Sequence, residues 1–160
     1  MLVKKHNWKP YALWIALTLF TGGLSGWLTR DAMQVYNETI VQPPLSPPSW
    51  LFPVVWGILY ILMGYSAARI WLTPASPERS FGLNLYITQL IVNFFWSLIF
   101  FNLQAFGFAL VWLLLLWAMV LLMILTFRKV DPLAAKLQIP YLLWLSFAAY
   151  LNFGVWLLNM

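Results

Sequence analysis

Few residues in this chain could do acid–base, nucleophilic or metal chemistry. There is no cysteine, which excludes disulfides, thiol catalysis and thiolate metal sites. The single histidine, His6, sits in a polar N-terminal tail. All four acids, Asp31, Glu38, Glu78 and Asp131, fall in polar connections between apolar runs. No constellation for ordinary catalysis follows, so no catalytic residue, metal ligand or required cofactor is expected. What remains is aromatic and amide chemistry, carried by 11 Trp, 12 Phe and 7 Tyr. On helical spacing Trp56, Tyr60 and Met63 share one face. Gln89, Asn93, Trp96 and Phe100 share a second, and Trp144, Ala148 and Asn152 a third. Three such stripes can build an aromatic box for a flat, largely apolar guest, because rings stack on rings and sparse polar groups set orientation. The same spacing also suits a plain packed core. Amides are costly in lipid unless paired, so Gln89, Asn93 and Asn152 must face inward, to bond either a neighbouring helix or a guest. Ala148, one turn from Trp144, leaves volume that a bulky side chain would fill.

The elements that must position these residues follow from composition. The chain has 160 residues, 63% hydrophobic and 8% charged, against roughly 25% charged in soluble domains. It reads as an all-α membrane protein, a single five-helix transmembrane bundle with spans at about 11–28, 50–72, 81–101, 105–127 and 133–158. Lys4, Lys5 and Lys9 before an apolar run imitate a cleavable signal, but the run continues through Gly26, Trp27 and Leu28, as a retained span does. Trp8, Trp27, Trp71 and Trp156 suit interfacial belts. The net charge of +5 lies in basic residues flanking apolar runs, so its role is topological and no nucleic acid is expected. With five spans, eight basic residues fall on one side and Arg30 alone on the other. That predicts a cytoplasmic N-terminus and an external C-terminus, and all-helical spans favour a bacterial inner membrane. No carboxylate lies mid-membrane, which counts against ion-coupled transport. The stretch 29–49 reads as a loop, and Pro43, Pro44, Pro47 and Pro48 make it a stiff lid candidate over the pocket. Pro140 should bend or loosen the fifth helix.

Three stretches carry a resemblance: PPSWLFPVVWGILYILMGYSAARIW at 47–71, YITQLIVNFFWSLIFF at 86–101, and DPLAAKLQIPYLLWLSFAAYLNFGVW at 131–156. The double proline, W-x-F-P-x-x-W, N-x-x-W and P-Y-x-x-W-x-x-F-A-x-x-L-N occur in that order. The chain resembles the translocator protein/tryptophan-rich sensory protein family (TspO/MBR), the peripheral benzodiazepine receptor relatives, and is closest in style to bacterial members. The resemblance implies a five-helix bundle, commonly a homodimer, that binds porphyrins, haem and sterol-like or synthetic aromatic ligands between helices under the first loop. By motif it makes Pro47, Pro48, Trp56, Tyr60, Asn93, Trp96, Phe100, Trp144, Phe147, Ala148 and Asn152 the ligand-binding candidates. The family often carries Trp-Tyr, Lys-Pro and another Trp in the first loop, where this chain has Tyr36-Asn37, Gln42-Pro43 and Leu45. The sterol pattern of animal relatives ends in a base, and after Asn152 this chain has FGVWLLNM.

The expected function is an integral membrane receptor or carrier for tetrapyrroles, linked to stress or pigment regulation. Trp56, Trp96 and Trp144 would stack on the ligand, and Asn93 and Asn152 would donate to it. Light-dependent porphyrin breakdown, as the resemblance implies, is one alternative. The other is a structural scaffold in which Gly22 and Gly26, or Gly107 with Ala109, make close-packed faces.

Overall fold

A computed structural model of the chain describes residues 7–160, so Lys4, Lys5 and His6 lie outside the described residues. It has five long helices: α1 (Lys9–Thr39), α2 (Leu51–Trp71), α3 (Pro77–Ser97), α4 (Phe106–Val130) and α5 (Pro132–Leu158). A π-helical turn, Leu98–Asn102, continues α3. All five are long and apolar enough to cross a membrane. α1 packs along α2, α2 along α5, α5 along α4 and α4 along α3, and α3 returns to α1. The closed ring therefore runs α1, α2, α5, α4, α3. Gln89, Asn93, Gln138 and Asn152 are buried in its interior.

Four spans fall within a few residues of the sequence expectation. The first does not: residues 29–39, read as loop, are the last turns of α1. Hydropathy drops after Leu28 because Arg30, Asp31, Gln34, Asn37 and Glu38 are polar, but the helix does not stop there. At a rise of about 1.5 Å per residue a helix of this length is about 46 Å long, well beyond a hydrocarbon core of about 30 Å. Its inner face, Thr29, Met33 and Tyr36, repeats at helical spacing, and Tyr36 packs against Phe100 and Phe101 of the π turn. The true α1–α2 connection is residues 40–50. Within it Leu45 takes a left-handed φ of 66°, uncommon for a side chain of its size.

At the opposite end of the bundle the charged residues fix the helix ends. Asp131 caps α5, its Oδ1 accepting the Leu133 N–H at 3.1 Å, and its Oδ2 accepts from Arg69 Nε at 2.7 Å. Arg69, near the end of α2, is held by that ion pair. Arg79 donates to the Trp71 carbonyl at 2.7 Å and lies over the Trp71 ring. Ser76 caps α3. Two surface cavities, of about 360 and 460 Å³, open at this charged end, lined by Thr73, Glu78 and Lys129 and by Lys9, Trp14 and Trp71 respectively.

Close helix approach explains two of the glycines. The Tyr60 ring lies on Gly22, where a side chain would collide with it, and a Cβ on Gly64 would come within 2.5 Å of the Ile15 Cα. Gly22 thus serves the α1–α2 contact within the bundle. Ala109 is fully buried and Gly107 faces the Trp156 ring, so that pair offers no outward face of small residues. α5 runs unbroken through Pro140.

Candidate functional site

The stripes do not form one box; they form two adjoining aromatic groups. Trp56, on α2, stacks on Tyr60 at a centroid distance of 5.3 Å and meets Trp144 of α5 edge to face at 6.5 Å. Phe52 packs on Trp144 from the first turn of α2, and Phe147 tilts against it at 5.6 Å. Tyr141, one turn before Trp144, closes the corner with its edge 6.1 Å from Trp56. Ala148 packs beside these rings against the core. Trp56, Tyr60, Phe147 and Ala148 are all half-buried.

Trp96 and Phe100 belong to the second group. They stack at 5.1 Å and gather Phe101, Phe106 and Tyr36 around them. Trp96 packs against both of the bundle's buried hydrophobic clusters. The two amides brace this arrangement. Asn93 Nδ2 donates to the Tyr141 hydroxyl at 2.7 Å, and that hydroxyl donates to Gln89 Oε1 at 2.8 Å. Asn152 donates to the Phe106 carbonyl at 2.8 Å and accepts the Trp96 indole N–H at 3.2 Å. Each amide expected to donate to a guest thus has a proton committed within the bundle, in bonds worth about 0.6 kcal/mol each in lipid.

The uncommitted polar atoms lie elsewhere. Three inner indoles donate: Trp96 to Asn152, Trp112 to the Val92 carbonyl and Trp117 to Ser146. Among the described residues the indole nitrogens of Trp56 and Trp144 make no such bond, and neither does the Tyr60 hydroxyl. Two buried amide atoms are also unpartnered, Nε2 of Gln89 and Oε1 of Gln138. Gln89 adjoins the Tyr141 hydroxyl and Gln138 lies one turn before Tyr141 on α5, so both belong to the layer beneath Trp56. Leaving such a group unpaired costs about 1–3 kcal/mol. The α2–α5 corner therefore combines aromatic surface with two free indole N–H groups, a free hydroxyl and two unpartnered amide atoms close by. Its rings touch one another, so they enclose less room than an open box.

Pro47 is half-buried and Pro48 is exposed, its carbonyl accepting the Leu51 N–H at the start of α2. They set the approach to the corner rather than its walls. Tyr141 was missed among the candidates although it is the previous turn of the Trp144–Ala148–Asn152 stripe. Among the described residues no three His, Cys, Asp or Glu side chains gather as a metal site.

Comparison with known proteins agrees in extent with the motifs. The chain is 41% identical over 149 residues to the tryptophan-rich protein TspO of Chlorobaculum tepidum, covering 92% of this chain and 94% of the relative. It is 37% identical to the translocator protein of Bos taurus, covering 93% and 89%. It is 33% identical to the tryptophan-rich sensory protein of Cereibacter sphaeroides, covering 78% and 77%. The sequence model of the TspO/MBR family matches residues 9–157. With five membrane-length helices and a match of that extent, this integral multi-pass membrane protein belongs to the TspO/MBR family.

Proposed function

We propose that the chain is a membrane receptor or carrier that binds tetrapyrroles (porphyrin or haem) and similar flat apolar molecules at the Trp56–Trp144 corner. The observation that carries this reading is the pair of inner indoles with free N–H groups, set edge to face, in a bundle where Trp96, Trp112 and Trp117 are paired. A planar guest enters by parting the two rings, replacing ring–ring contact with stacking on its own faces, worth about 0.5–1.5 kcal/mol per aromatic contact beyond area. Trp56, Tyr60 and Trp144 then supply donors to its carboxylates or carbonyls. The Gln89–Gln138 layer supplies one more donor and one acceptor. Trp96 and Phe100 form the far wall, and Pro47 and Pro48 stiffen the covering segment. Names of relatives such as tryptophan-rich sensory protein support a sensory role, tied here to stress or pigment regulation.

The proposal places the protein as a homodimer in a bacterial inner membrane, with the N-terminus cytoplasmic and the α1–α2 connection external. The charge asymmetry supports that orientation. Titration of the purified protein with protoporphyrin IX, read by tryptophan fluorescence, tests the ligand reading. Saturable quenching at micromolar ligand is expected. No quenching at that concentration would favour a scaffold without a ligand.

A further inference from the structure

Between α1 and α2 the chain is fastened to α5 at three points. The Tyr150 hydroxyl donates to the Pro44 carbonyl at 2.7 Å. One turn on, Gly154 lies against Pro43, which is buried; a Cβ there would come within 2.5 Å of the Pro43 Cβ. At the C-cap of α5, Asn159 Oδ1 accepts the Val41 N–H at 3.0 Å and its Nδ2 donates to the Val41 carbonyl at 2.8 Å. Asn159 thus pairs with that backbone much as a neighbouring strand would. Prolines make the segment stiff, but stiffness does not decide where it lies. These contacts do. Leu45, next in sequence to Pro44, takes the left-handed conformation.

The fastening is continuous with the aromatic corner. Tyr150 stacks on Phe147 with centroids 6.1 Å apart, and Phe147 packs on Trp144. At the other end of the segment Phe52, just inside α2, packs on the same Trp144 ring. Moving the segment off α5 therefore loosens two of the rings that hold Trp144.

We infer that Tyr150, Gly154 and Asn159 are positioning residues that latch residues 40–49 across the end of α5, and that release of this latch sets how fast a guest reaches and leaves the Trp56–Trp144 corner. The latch stands on the contacts alone; the exchange rate rests on the ligand reading above. Amide hydrogen exchange of the ligand-free protein, read at Val41, tests the first part. Val41 is expected to be protected in the wild-type protein and to lose protection in Asn159→Ala, with amides of α2, α3 and α4 unchanged; the last turn of α5 also loosens, because Asn159 Nδ2 donates to the Val155 carbonyl at 2.7 Å. Stopped-flow quenching with protoporphyrin IX tests the second. In Tyr150→Phe/Asn159→Ala, association and dissociation rates should both rise about tenfold, with Kd changed less than about threefold. A Val41 amide that exchanges freely in the wild type overturns the latch. Rates unchanged within about twofold, in a double variant that has lost Val41 protection, overturn its control of exchange. Absence of any porphyrin binding overturns that control together with the ligand reading, and Val41 protection still decides the latch.

Discussion

Trp144 and Trp112 are both inner indoles of comparable burial, but the bundle treats them differently. Trp112 packs beside the Trp96–Phe100 group and donates to a backbone carbonyl of α3. Trp96 itself donates to Asn152, which also holds α4 through Phe106. In that region both indoles have a fixed partner, and the rings fill space. Around Trp144 and Trp56 the rings are just as dense and Tyr141 is bonded, yet both indole N–H groups and the Tyr60 hydroxyl have no partner among the described residues. A group that spends its hydrogen bonds internally builds the fold; one that withholds them is built to meet something else. Aromatic content alone does not separate the two, because both groups are rich in it.

The largest effect expected on this contrast comes from filling the corner. Ala148→Phe should weaken protoporphyrin binding about thirtyfold, equivalent to about 2 kcal/mol of overpacking, in a quenching titration. Unchanged affinity would remove Ala148 from the site. Next is Asn152→Leu, which breaks the brace of the second group. It strands the Trp96 N–H and should lower stability by about 1–2 kcal/mol in a denaturation series, with ligand affinity within about threefold. A large loss of affinity without a loss of stability would mean Asn152 serves the ligand directly. The smallest effect is expected at the charged end. Asp131→Asn keeps a cap for α5 but loses the Arg69 ion pair, and should cost about 1 kcal/mol or less of stability while leaving porphyrin affinity unchanged.

Much of the fold was legible because lipid leaves a spanning chain few choices. Twenty or so apolar residues become a helix, and short connections make neighbours antiparallel. The end of α1 was not legible from the same signal. Hydropathy marks where the membrane stops, whereas the helix stops where its inner face runs out of partners, at Tyr36 and Ile40 against the π turn. For the site, spacing identified the faces carrying Trp56, Tyr60 and Trp144. It could not say which helix each face meets. α3 packs beside α4 and α1, so its stripe reaches α5 only through long side chains, as Trp96 does to Asn152. The fastening of the 40–49 segment left no periodic trace, because Asn159 and Tyr150 bond to backbone atoms, which every sequence has.

The most direct test of the account is a paired titration with protoporphyrin IX of Trp144→Phe and Trp112→Phe. Each variant removes one indole N–H and keeps an aromatic ring. The account predicts that Trp144→Phe loses about tenfold in affinity, about 1.4 kcal/mol, with little change in stability. Trp112→Phe should keep its affinity within about twofold while losing about 1 kcal/mol of stability. Equal losses of affinity in both variants, or a loss confined to Trp112→Phe, would contradict it.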